Sequence, residues 1–226
     1  LADSPFIASP SLQHLEYECS NCKFHIWIQG NYFPDSEKLI NDFTAFTKLQ
    51  LDVMQDFPCS DYHFLIQALP FKFYHGVEHL KSTVLAIGPA DKIGEKALYD
   101  ELIGVASHEL FHVWNVKSIR PVEMMPYDFF FFFYARTGFV YEGVTTYYGD
   151  LFLKRYNYFS MEEYFGEVNT RLMKHVSNEG RFNHSVAESS FDTWLDGYVP
   201  GVPGRKVSIY DEGSLVALML DLMLIS

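Results

Sequence analysis

The sequence predicts an α+β fold: a small, mainly antiparallel sheet in residues 1–90, then a mainly helical part in 91–226. Short β-branched and aromatic runs punctuated by Pro and Gly fill the first part, and three- and four-residue apolar steps begin after Lys92. With 226 residues and 48% hydrophobic content, the chain has enough apolar surface for one substantial core. It reads as a single domain, with no internal repeat.

Residues 1–20, with Pro5 and Pro10, read as irregular. Phe24-His25-Ile26-Trp27-Ile28 alternates and is β-rich, so a strand is expected up to Gly30. Pro34-Asp35-Ser36 supplies turn and N-cap chemistry for a helix whose core stripe is Leu39, Phe43, Phe46, Val53 and Phe57, stopped by Pro58. Tyr62–Leu69 and Ser82–Ile87 read as strands around the short segment Tyr74–His79. A helix follows from Lys92, then a connection holding the run Phe129–Phe133, which reads as buried packing. Another helix is expected from about Phe139 to Tyr156, and a shorter one after Ser160, where Ser160 and Glu163 match a capping box. Gly197–Gly204 reads as a loop, and Asp211 or Gly213 as the start of a final apolar helix.

The chemistry centres on Gly104–Pro121, which contains His108-Glu109-Leu110-Phe111-His112. On a helix, residues four apart share a face, so two imidazoles can meet one zinc ion. Glu109 then sits beside the metal, placed to act as general base on its water. A shuffled chain of this composition would hold the pattern on the order of 0.02 times, so chance is a poor explanation. Leu98, Leu102, Val105, Val113 and Val116 recur at helical steps, and no Pro falls between Lys92 and Pro121.

A zinc centre of this kind needs a third protein ligand. The spacing that would supply a third His just downstream is absent, because Val-Trp-Asn-Val-Lys-Ser follows His112. Glu142, early in the next expected helix and among apolar and aromatic neighbours, is the candidate, completing a His₂Glu set for one Zn²⁺ per chain.

Composition sets further bounds. A formal net charge of -12 without a Lys/Arg-rich run argues against nucleic acid or an anionic membrane as partner. Neither Phe129–Tyr134 nor the apolar end from Leu215 is long enough to span a bilayer. No signal-peptide pattern follows Leu1, so compartment is not legible, and neither is oligomeric state; the open start and helical end suggest a piece of a longer protein. Cys19-x-x-Cys22, with Cys59 elsewhere, reads as ordinary reduced thiols, because no second pair and no βαβ pattern accompany it. His14, His25, His63, His75, His175 and His184 read as scattered surface or satisfied groups.

The stretches His108–Pro121 and Tyr141–Leu151 resemble the glycyl aminopeptidase family of zinc metallopeptidases, whose catalytic core is similar to aminopeptidase N and thermolysin. The likeness extends to Gly76–His79 with Ser82-Thr83, Phe191–Leu195 and Ile209–Leu218, about residues 24–226 in all. It implies a thermolysin-like zincin domain with zinc in the cleft between the two parts, and an aminopeptidase acting on peptides with small N-terminal residues such as Gly or Ala. By the same resemblance, Gly76 and Glu78 bind substrate, Glu78 taking the free amino group, and the sheet edge beside them pairs with the substrate backbone. The Tyr210 hydroxyl would donate to the oxyanion. His79 stands where aminopeptidase N relatives carry Asn, and Glu212 where relatives often carry Lys. Asn115 and Lys117 belong to the family pattern, with supporting or packing roles expected. The resemblance also implies a β-rich segment before residue 1 and a PDZ domain after residue 226. An endopeptidase on the same scaffold and a non-catalytic peptide-binding module are the competing readings.

Overall fold

The computed structural model describes residues 3–128, 130, 131, 133–196 and 201–226. They form two compact units, Leu1–Lys117 with Arg155–Tyr158, and Ser118–Lys154 with Phe159–Ser226.

The first unit holds β1 (Gln13–Cys19), β2 (Cys22–Gly30), α1 (Ser36–Met54), β3 (Asp61–Ala68), β4 (Phe73–Glu78), β5 (Ser82–Gly88) and α2 (Lys96–Phe111). The strands form one sheet in the order β1-β2-β3-β5-β4. β1 was not expected, since its outward residues His14, Glu16 and Glu18 dilute the apolar signal. Ser20 and Asn21, both at positive φ, close a two-residue turn that pairs β1 with β2 and sets Cys19 opposite Cys22.

The sheet is mixed rather than mainly antiparallel: β2/β3 and β3/β5 are parallel, while β1/β2 and β4/β5 are antiparallel. α1 carries the chain from the end of β2 back to the start of β3 as a crossover, and β5 then inserts between β3 and the edge strand β4. Cys22 therefore opens a β2-α1-β3 unit, contrary to the expectation that no such pattern surrounds the cysteines. All three cysteines are buried and unbridged, and Cys22 Sγ lies 3.2 Å from the Cys59 carbonyl.

Asp35 caps α1 by accepting from Lys38 N at 3.1 Å, and Gln55 in the left-handed region ends it ahead of Pro58. Leu39, Phe43 and Phe46 are fully buried, but Val53 is exposed and Phe57 lies beyond the helix, packing from the loop on Phe24 and Trp114. The core joins this stripe to Phe24, Ile26, Ile28, Tyr62, Phe64, Ile66, Leu85 and Ile87 of the sheet and to Leu102, Ile103 and Leu110 of α2. Each large apolar side chain so buried contributes about 1.5–3 kcal/mol. On the opposite face His14, His25 and His63 are gathered, not scattered.

In the second unit, after a 3-10 turn at Val122–Met124, a π-helical segment, Phe139–Val144, runs into α3 (Thr145–Arg155). α4 (Met161–Ser177) has both halves of the expected capping box, with Glu163 N donating to Ser160 Oγ at 3.1 Å and Ser160 N to Glu163 Oε2 at 2.8 Å. It runs for 17 residues. Two short helices follow, α5 (Val186–Phe191) and α6 (Thr193–Asp196), then α7 (Ile209–Ile225). α7 starts earlier than expected because Ser208 caps it, accepting from Asp211 N at 3.2 Å.

The phenylalanine run is not uniformly buried. Phe130 and Phe131 are exposed where Phe130 N donates to Asp128 in a turn, while Phe129 and Phe132, like residues 197–200 of the expected loop, lie outside the described residues. Among the described residues, no helix is long and apolar enough to cross a membrane.

Candidate active site

The His-Glu-x-x-His sequence closes α2, with His108 and Glu109 in its last turn and His112 as its C-cap residue. That end of a helix carries partial negative charge and favours a cation. α2 is tied to α1 one residue before the site: Gln50 Nε2, fully buried, donates to Ser107 O at 2.9 Å and approaches Ser107 Oγ at 3.1 Å.

His112 is buried, and its Nδ1 lies 2.7 Å from the Asn115 carbonyl. A carbonyl only accepts, so Nδ1 carries the proton and Nε2 presents its lone pair. That nitrogen lies 3.1 Å from His108 Nε2, with the ring planes at 82°. Two nitrogens at about 2.0–2.1 Å from one tetrahedral zinc stand roughly 3.3 Å apart, so this pair fits a shared ion after a shift of tenths of an ångström. His108, Glu109 and His112 each offer a ligand atom within 4.8 Å of the others. The Asn115 carbonyl, rather than its side chain, is the partner that fixes the His112 tautomer.

Glu109 is buried and faces β4, the edge strand of the sheet. A Cβ at Gly76 would collide with Glu109 Oε1 and stand 2.7 Å from Val105 Cγ2. The Tyr62 hydroxyl is also buried nearby; burial first, then the Glu109 charge, holds its pKa well above the usual range. Two residues along β4, Glu78 is half-buried with Lys117 Nζ 3.9 Å from its Oε1. Asp3 ties the same corner together: its carboxylate is 3.8 Å from Lys117 Nζ, 2.9 Å from His79 Nδ1, and accepts from Leu80 N at 3.1 Å.

Glu142 and Tyr210 belong to the second unit. Glu142 lies in the π-helical segment, its carbonyl accepting from Thr146 Oγ1 at 2.9 Å. Tyr210 is in the first turn of α7. The two elements cross at paired glycines, where a Cβ on Gly143 would overlap the Gly213 backbone and one on Gly213 would stand 2.8 Å from Gly143 Cα. Ser190 Oγ accepts from Phe139 N at 3.0 Å and Ser189 Oγ from Val207 N at 3.2 Å, so α5 holds the start of both segments.

The structure thus brings Gly76, Glu109, His108 and His112 together in the first unit and puts Glu142 and Tyr210 on crossing elements of the second. Sequence reasoning missed Asp3, Gln50 and Tyr62. Only Gln50 left a signal, as a polar residue on an otherwise apolar helix stripe.

Residues 101–216, just over half of the chain, match the profile described as M61 glycyl aminopeptidase. The chain belongs to the M61 glycyl aminopeptidase family. Among solved structures, this M61 chain is similar to an aminopeptidase N family protein from Idiomarina loihiensis, with 28% identity and a TM-score of 0.87 over 95% of its own length. It spans only 38% of that protein. No curated protein matches the sequence significantly.

Proposed function

We propose that this M61 chain is the catalytic domain of a zinc-dependent aminopeptidase of thermolysin-like architecture, acting on peptides with small N-terminal residues such as Gly or Ala. The observation that carries the reading is the convergence of His108 and His112 at 3.1 Å, with buried Glu109 packed beside the edge strand that bears Gly76 and Glu78.

In this reading His108, His112 and Glu142 hold one Zn²⁺, which when bound lowers the pKa of a water and polarises the scissile carbonyl. Glu109 takes a proton from the attacking water and passes it to the leaving amine. The Tyr210 hydroxyl donates to the oxyanion that forms as the carbonyl is attacked. β4, the edge strand, pairs with the substrate backbone, and Gly76 lets Glu109 pack directly against that strand. Glu78 takes the substrate's ammonium group, with the Lys117 ammonium 3.9 Å from its Oε1. A β-rich segment before residue 1 and a PDZ domain after residue 226 would accompany the domain in the whole protein.

The experiment is cleavage of a Gly-initiated peptide beside its N-acetylated twin, with and without a chelator. Chelator-sensitive cleavage of the free peptide alone is expected. Equal cleavage of both peptides would make the protein an endopeptidase and leave Glu78 structural; zinc retention without cleavage of either would favour a binding module.

A further inference from the structure

Away from that site, the sheet face opposite α1 and α2 gathers side chains of ligand type. In the β1/β2 register Glu16 stands opposite His25 and His14 opposite Trp27, so period-2 alternation puts all four on one face. We propose that His14, Glu16 and His25 form a second metal site, for a divalent transition ion of the zinc class. His14 Nε2 lies 3.0 Å from His25 Nδ1, close to the 3.1 Å between the histidines of the candidate active site. Glu16 Oε2 is 3.8 Å from the same His25 nitrogen, and one ligand atom from each residue lies within 4.8 Å of the other two. Two imidazoles and a carboxylate with a coordination position to spare suit Zn²⁺, Ni²⁺ or Cu²⁺ rather than Ca²⁺ or Mg²⁺.

The surroundings hold these groups in place. The other nitrogen of His25, Nε2, is 3.7 Å from Asp61 Oδ1, so a carboxylate stands behind the ring on the side away from His14. The His14 ring stacks on Trp27 with centroids 3.8 Å apart, and His25 stacks on His63 at 4.6 Å. Trp27 Nε1 donates to His63 Nδ1 at 3.2 Å, which locks that ring as an acceptor. His14 and Glu16 are exposed to solvent and His25 is partly so, which gives an ion direct access.

The test is zinc stoichiometry and affinity of the metal-free full chain, with Zn²⁺ alone as the probe. Wild type is expected to bind two equivalents and His14→Ala one, while His108→Ala/His112→Ala retains the one that His14→Ala loses. Asp61→Asn should weaken that equivalent about tenfold without abolishing it. Cu²⁺ should quench part of the tryptophan emission of wild type, and that part should be missing in both His14→Ala and Trp27→Phe. One equivalent in wild type, or a second that survives His14→Ala, would overturn the site and leave the 3.0 Å contact as a hydrogen bond between neutral rings.

Discussion

Gly76 on the edge strand approaches Glu109 so closely that no Cβ fits between them: it would overlap Oε1 and press on Val105. The carboxylate is the mobile party, at the end of a flexible side chain, whereas Val105 is fixed in α2. A methyl group here should therefore move Glu109 rather than unfold the sheet. Gly76→Ala is expected to lower kcat/KM by about ten- to a hundredfold, since small displacements of a catalytic group cost on that order. Its denaturation midpoint should stay close to wild type; a large stability loss at unchanged kcat/KM would make Gly76 a packing residue only.

Replacing the Glu109 carboxylate by its amide keeps size and burial but removes the proton acceptor. Glu109→Gln should retain zinc, measured as metal per chain, while turnover falls about 10²–10⁴-fold. Retained turnover would remove Glu109 from the chemistry.

Gln50 supplies a side-chain hydrogen bond to the α2 backbone next to His108, at 2.9 Å and fully buried. Gln50→Leu leaves the Ser107 groups without that donor, at a cost of about 1–3 kcal/mol in chemical denaturation. Because the bond positions His108, zinc affinity should fall in the same variant. Unchanged affinity would confine Gln50 to holding α1 and α2 together.

Cys59 gives the fold an alkaline limit. Burial first, then neighbouring Cys22, pushes its thiol up from 9.0 to about 11. The folded state therefore holds the proton more tightly than the unfolded chain does. Stability from this group is fully present below its ordinary value of 9.0 and is lost as pH rises through the folded value of about 11. Denaturation midpoints measured from pH 8 to 11 should fall, and Cys59→Ala should flatten that slope.

What the sequence made legible follows from how local each signal is. The His108/His112 pair is a spacing within one helix, and the Ser160 box a spacing within one turn, so both are readable without tertiary structure. β1 escaped because its outward side chains are His and Glu, the residues that meet His25 across the sheet. The parallel pairings escaped because β2/β3 depends on α1 as a crossover and β3/β5 on β5 inserting between β3 and β4, relations between elements rather than within one. Asp3 is far in sequence from the His79 and Lys117 that it meets, and no pattern in its own neighbourhood marks it.

The crossing of the π-helical segment with α7 depends on two residues without side chains. At Gly143 an added Cβ would overlap Gly213 Cα and carbonyl carbon, and these are backbone atoms that cannot turn aside. Gly143→Ala must therefore separate the segment carrying Glu142 from the helix carrying Tyr210, at a cost of about 1–3 kcal/mol. Gly166, inside α4, is the matched control, because a Cβ there meets nothing within 4 Å. Gly166→Ala should stabilise by about 0.5–1 kcal/mol through the helix backbone alone. Chemical denaturation of the two variants should thus move in opposite directions from wild type, and kcat/KM should fall only in Gly143→Ala. Equal and small shifts for both would mean that the crossing opens without cost, and that its closeness does not position Glu142 and Tyr210.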